Sequence, residues 1–237
     1  MKKYSIEDLQ KTRINDIIKS EKEIEIDGVS GERFLCDGLS FGTVILNGVA
    51  GNATGAYLDG ATVIVNGNGQ DAVGDTMNDG KIVIHGSVGD ACGYAMRGGE
   101  IYVKGKAGYR AGIHVKEYKD KKPVIVIGET AGDFLGEYQA GGIIIVLNLG
   151  KEMAVGDFCG TGMYGGKIFL RTKNPPEDLP AQVVCRKADE EDLSEIKNYV
   201  VEFCRLFGKN YDEIMKGDFF MLTPNSANPY RQLYVMN

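Results

Sequence analysis

One short phrase, written four times at a fixed interval, limits what this chain can fold into more than any other feature. Between Val44 and Gly105 a run of aliphatic residues ends each time in a polar residue and a glycine: Val44 to Gly48, Val63 to Gly67, Ile82 to Gly86, Ile101 to Gly105. The closing glycines stand 19 residues apart. Two more glycines follow three and seven positions later, at Gly51 and Gly55, Gly89 and Gly93, Gly108 and Gly112, with Gly74 alone after Gly67. Gly128, Gly132 and Gly136 carry the phrase onward. A period this regular marks a solenoid.

Runs of about five residues suit strands and are too short for helices. One strand per period, separated by glycine-rich turns, describes the coils of a parallel β-helix. Equivalent residues then form columns along the axis, about 4.8 Å apart. Alternation turns two columns inward: Val44 and Leu46, Val63 and Val65, Ile82 and Ile84, Ile101 and Val103. Tight corners that need φ > 0 account for the turn glycines.

The first coil begins at Glu23–Gly28, and two later strands, Ile145–Asn148 and Ile168–Arg171, extend the series to about seven coils. A charged insertion, His114 to Lys122, precedes the strand that ends at Gly128 and reads as a solvated loop. Ser5-Ile6-Glu7-Asp8 reads as a capping box opening a helical segment with Leu9, Ile14, Ile17 and Ile18, a cap over the N-terminal end of the solenoid. Past Arg171, Asn174-Pro175-Pro176 breaks the pattern. Asp189 to Phe207 then forms a helix with one apolar stripe: Leu193, Ile196, Val200, Phe203 and Phe207. A second short helix is expected over 211–215, and an extended tail over 219–237. The expected organisation is an N-terminal helical cap over 1–20, a β-helix over 21–172, and a helix with extended tail over 173–237.

The bulk properties exclude several classes of function. A formal charge of −6 and an acidic pI leave no basic face for nucleic acid. No apolar run approaches the ~20 residues of a membrane span, and the N-terminus lacks a signal peptide's apolar segment. Five cysteines without a C-x-x-C pair point to a reducing, cytoplasmic compartment and to no zinc or iron–sulfur site. Cys92 reads as packing. Gly160-Thr161-Gly162-Met163-Tyr164-Gly165 spells the dinucleotide string G-x-G-x-x-G, but a strand follows it where that motif needs a helix. His85 and His114 have no ligand partners by spacing; His85 sits in the strand-closing column and reads as exposed. Asp59, Asp79, Asp90, Asp133 and Asp157 read as turn residues. Asp90, Asp133 and Asp157 nevertheless share a column, which a polysaccharide-cleaving enzyme would need.

One feature asks for a function. The middle, outward strand position reads Ile45, Ile64, Val83, Tyr102, Ile125, Val146, Phe169. Such a stripe must be covered by the C-terminal helix, by a second copy or by a partner. The reading here is that the helix docks on it and leaves the coils it misses for a partner; the alternative is that the helix caps the end of the solenoid.

The turn phrases carry a resemblance. Asn66 to Thr76, Gly93 to Gly99, Gly108 to His114 and Gly132 to Gly142 resemble the G-x-G-x-G domain of glutamate synthase, in non-glycine positions as well, over roughly residues 20 to 171. The resemblance implies a right-handed parallel β-helix that scaffolds amidotransferase and flavin-bearing synthase domains. A related domain forms a subunit of formylmethanofuran dehydrogenase. Met1 is followed by Lys2, with no N-terminal cysteine nucleophile, and no cysteine cluster is present. The expectation is therefore a free-standing, non-catalytic subunit of a multi-chain glutamate synthase. It would bind no cofactor itself, its partners carrying FMN and iron–sulfur centres, and no catalytic residue is carried over. The alternative is a subunit of a formylmethanofuran dehydrogenase-type redox complex, and an autonomous carbohydrate enzyme comes third.

Overall fold

The computed structural model describes residues 1–9, 14–150 and 153–225. Strands β1 (Lys2–Ser5), β2 (Glu23–Ser30), β3 (Thr43–Val49), β4 (Asp59–Asn66), β5 (Asp79–Ile84), β6 (Glu100–Val103), β7 (Val124–Ile127), β8 (Ala140–Val146) and β9 (Gly165–Arg171) run parallel, each bonded to the next in sequence. They make a β-solenoid of about seven turns. Two antiparallel strands, β10 (Val183–Lys187) and β11 (Phe219–Pro224), complete one eleven-stranded sheet ending β9-β11-β10. The helices are α1 (Ile14–Ser20), α2 (Glu190–Phe207) and α3 (Tyr211–Met215).

The inward columns are the core. Val44, Leu46, Val63, Val65, Ile82, Ile84, Ile101 and Val103 are all buried, and each lies over its counterpart in the next coil. The outward column is Ile45, Ile64, Val83 and Tyr102, then Val126, Ile145 and Phe169. Ile125 and Val146, read from the sequence as outward, point into the solenoid instead. Val103 pairs with Ile127, so Gly128 rather than a polar residue closes β7, and the strand count shifts by one. Both faces of β7 and β8 are apolar, so alternation gives no warning of a slip that reverses every side chain.

Helix α2 covers this outer face. Ile196, Val200, Phe203 and Phe207 form one buried cluster with Val83, Tyr102, Val126, Ile145 and Phe169, with Ile64 and Leu193 packed at its border. The helix is well bounded: Asp189 caps it reciprocally with Asp192, and Gly208 ends it in the left-handed region. Gly128 lets it approach, since a Cβ there would meet the Phe203 ring at 2.7 Å. Ion pairs fix its register on the sheet: Lys81 to Glu202 at 2.7 Å, Lys167 to Glu195 at 2.6 Å, and Lys122 of the insertion to Glu195 at 3.2 Å. Ile45, the member the helix misses, is already half-buried.

Both open ends of the solenoid are closed. At the N-terminus Ser5 ends a strand rather than capping a helix: β1 pairs along β2, and Glu7 N–H donates to Ser5 Oγ in a local turn. Ile6, Leu9, Ile14 and Ile18 seal the core below. Asn15 stands in for a missing coil. Its Nδ2 donates to the Phe34 carbonyl at 2.7 Å and its Oδ1 accepts from Cys36 N–H at 3.0 Å. At the other end β11 runs antiparallel on β9 and β10 covers β11; β10 lies where the sequence shows only a broken pattern after Asn174-Pro175-Pro176. The expected tail is extended as far as Pro224; residues 226–237 lie outside the described residues, as do 10–13 of the expected N-terminal helical segment.

Two outcomes check this packing. Val65→Ala empties part of a sealed column and should cost about 1–3 kcal/mol in urea unfolding. Gly86→Val should cost at least as much, because its Cβ would run into Asn68 Oδ1 and the Gly67 carbonyl; parent-like melting of both would break the column assignment. The second outcome concerns pH. The Arg205 hydrogen bond holds the Glu202 carboxyl down against the opposing effect of burial, and Lys81 adds to the fall, to about 2. A carboxyl depressed on folding stabilises fully above its ordinary value, about 4.5, and loses that contribution as pH falls toward 2. A melting series over that window should therefore fall less steeply for Glu202→Gln than for the parent.

Candidate functional site

The turn phrases form a second face of the solenoid, held by an unusual backbone. In each, residues with positive φ alternate with ordinary ones: Ala53 at 60°, Gly55 at 72° and Tyr57 at 57°, then Ala72, Gly74, Thr76, and so on to Phe158, Gly160, Gly162. Successive peptide groups therefore point up and down the axis by turns. Ala53 N–H donates to Asp71 O of the next coil, Gly55 N–H to Leu35 O of the coil before, and Tyr57 N–H to Asp75 O of the next. This ladder bonds coil to coil without being a strand. Of the glycines attributed to tight corners, Gly48, Gly55, Gly74, Gly93, Gly112 and Gly136 have positive φ. Gly51, Gly67, Gly86, Gly89, Gly105, Gly108, Gly128 and Gly132 do not, and their cause is different: a Cβ on any of them would strike the coil before.

The shared aspartate column belongs to the same ladder. Asp71 Oδ1 accepts from Asp90 N–H at 2.9 Å, Asp90 Oδ1 from Tyr109 N–H at 2.8 Å, and Asp133 Oδ1 from Asp157 N–H at 2.9 Å. These carboxylates staple one coil to the next. Asp59 and Asp79 sit elsewhere, bound by Lys121 at 3.4 and 3.0 Å, so the insertion reaches back to the body of the solenoid. The Lys121 hydrogen bond pulls the Asp79 carboxyl below its usual range.

The remaining candidates rest against neighbouring side chains. His85 is half-buried with its ring edge-on to Phe207 at 5.2 Å, and burial first, then Lys104, lowers its pKa. His114 stacks on Tyr138 at 5.1 Å. Cys92 and Cys159 are buried and burial pushes both thiols up to about 12, so neither offers a thiolate. Gly165 opens β9, a strand, so the G-x-G-x-x-G string has no helix on which to seat a pyrophosphate. A cleft of about 570 Å³ at the C-terminal end of the solenoid is lined by residues of 153–159 and 172–178. Among the described residues no group of three His, Cys, Asp or Glu is placed to hold a metal, and no helix is long and apolar enough to cross a membrane.

What this face does present is aromatic. Tyr94, Tyr109, Tyr138 and Phe158 are exposed on four consecutive coils, and Phe134 lies half-buried among them. Sequence reading missed them, although Phe134 and Phe158 each stand two residues past a turn glycine, Gly132 and Gly156. A coiled, glycine-stacked face of this kind has a matching family model: one described as "GXGXG motif" aligns with residues 23–224. The chain belongs to the GXGXG motif family. An uncharacterized protein of Methanocaldococcus jannaschii is 42% identical over 235 residues, covering 94% of this chain and 90% of that one. The family match extends past the solenoid to β11, so it takes in helix α2 and the closing strands.

The aspartate column is open to a direct test. Asp90→Ala leaves Tyr109 N–H without its acceptor and should lower unfolding stability by roughly 0.5–1.5 kcal/mol. Asp90→Asn keeps an acceptor oxygen and should unfold close to the parent. Equal losses in the two variants would point to a role for the charge itself.

Proposed function

We propose that this chain is the non-catalytic structural subunit of a multi-chain glutamate synthase. It would hold separately encoded amidotransferase and flavin-bearing synthase subunits while glutamine amide nitrogen passes to 2-oxoglutarate. The observation that carries the reading is how this GXGXG chain uses its polar groups. The carboxylates of Asp71, Asp90 and Asp133 each bond a backbone amide of the neighbouring coil, which is the economy of a scaffold and not of an acid–base pair. Its cysteines do not suit an iron–sulfur centre either: Cys36, Cys92 and Cys159 are buried at separate levels of the solenoid. FMN and iron–sulfur chemistry would therefore sit in the partner subunits, in the cytoplasm.

Reconstitution tests this. Purified alone, the chain should show neither flavin absorbance nor glutaminase activity. Mixed with amidotransferase and synthase subunits of the same source, it should raise glutamine-dependent glutamate formation several-fold and elute with them. A stoichiometric yellow chromophore on the isolated chain, or full activity of the other subunits without it, would overturn the reading. Co-elution with molybdenum- or tungsten-bearing subunits instead would assign the chain to a formylmethanofuran dehydrogenase-type complex.

A further inference from the structure

The long flanks of the solenoid are treated differently. Helix α2 buries the outer face of the sheet. The turn face keeps its aromatic side chains in water: Tyr109 is 52% and Phe158 55% exposed. Several of these side chains occupy backbone positions that bulky residues avoid. Phe134, Phe158 and Tyr138 have φ of 61°, 59° and 53°, as do Arg110 and His114 at 56° and 58°. The column of Arg110, Phe134 and Phe158 holds Phe34, Ala53, Ala72 and Ala91 in earlier coils, and that of His114 and Tyr138 holds Tyr57, Thr76 and Ala95. There Phe34 and Tyr57 stand alone, whereas from Arg110 onward the bulky residues adjoin from coil to coil. A bulky residue there is strained where glycine is not, and is kept where something other than the fold requires it.

The rings are arranged in two files along the axis. Arg110 lies over Phe134 at 4.8 Å and Phe134 stacks on Phe158 at 4.9 Å; beside them Tyr94 meets His114 edge-on and His114 stacks on Tyr138. Arg110 ties the files together through Glu137 at 3.0 Å. Rings stacked on one another turn their edges outward, giving a broad apolar strip rather than a slot for a planar small molecule. The three spacings between these four coils, about 4.8 Å each, give the strip a length of about 15 Å. Aromatic and arginine side chains on a rigid frame are the composition of a protein–protein hot spot.

Charge narrows the occupant. In these four turn phrases the acidic Asp90, Asp133, Glu137 and Asp157 outnumber the basic Arg97 and Arg110. A second copy would bring one acidic strip against another, and nucleic acid is repelled outright. We propose that the turn face from Tyr94 to Phe158 is the docking surface for a folded partner protein whose facing surface is apolar at its centre and rimmed by lysine and arginine. The partner is one of the two catalytic subunits of the proposed complex, so the inference rests on the scaffold reading.

The experiment uses the full chain with purified amidotransferase and synthase subunits, reading dissociation constants by titration. In Tyr138→Gly with Phe158→Gly, the backbone strain is relieved, so melting should stay level or rise. Affinity for one subunit should nevertheless fall by about tenfold or more. Parent affinity should also weaken as salt is raised. Val201→Ser, on the exposed outer side of α2, should bind like the parent. A photo-crosslinking residue at Tyr109 should capture that same subunit. If the complex forms and the glycine pair binds as tightly as the parent, the surface assignment fails and the scaffold reading stands. If neither subunit binds the parent chain, both fail. Crosslinks from position 109 to a second copy, or to residues 226–237 of the same chain, would give the strip a different occupant and overturn the proposal.

Discussion

Backbone amides that bond from each coil to the next hold the coils about 4.8 Å apart, and that spacing governs the other choices along the chain. At such a distance a residue's main neighbour is its own counterpart one period away. Side chains are therefore selected by column. Aliphatic columns fill the interior, Asp71, Asp90 and Asp133 pass hydrogen bonds upward, and glycines appear where any Cβ would meet the coil below. The requirement also explains the alternating left-handed residues of the turns, which keep every peptide group aimed along the axis.

Stacking creates its own liabilities: two ends with unpaired edges and one apolar outer face. Each is met by a non-repeating segment. β1 and Asn15 finish the strand ladder and the turn ladder at one end; β11, reversing direction on β9, finishes the other. Helix α2 takes the outer face, with Lys81, Lys122 and Lys167 setting its position against Glu202 and Glu195. The repeats supply the body, and the parts that make it a closed protein lie outside the repeat.

The same division separates what the sequence tells from what it hides. Period, strand positions and the inward columns were legible because each is written several times, and α2 because its cap, stripe and stop agree. The register of β7 and β8 was not. Ile125 and Val146 were misplaced because strands apolar on both faces carry no alternation, and Gly128 replaces the usual polar marker. β1 and β10 were hidden because a strand that occurs once, at an edge, has no column to identify it. The candidate site was least legible of all. Asp90 and Asp133 are ordinary turn residues until the axial bond is seen, and Phe134 and Tyr138 look unremarkable until their φ is known.

The joining of Lys81 to Glu202 has a consequence for how the chain is made. These partners lie 121 residues apart, and the cluster they flank needs Val83 early in the chain and Phe207 late. During synthesis the solenoid can grow coil upon coil, each contact local to its neighbour. Its outer face must wait, uncovered, until α2 has emerged. At some 5–20 residues per second that interval lasts several seconds, during which Val83, Tyr102 and Phe169 form a growing adhesive stripe. The last fifth of the polypeptide thus acts as an internal chaperone for the rest, and a chain terminated soon after Arg171 would be coiled and prone to aggregate.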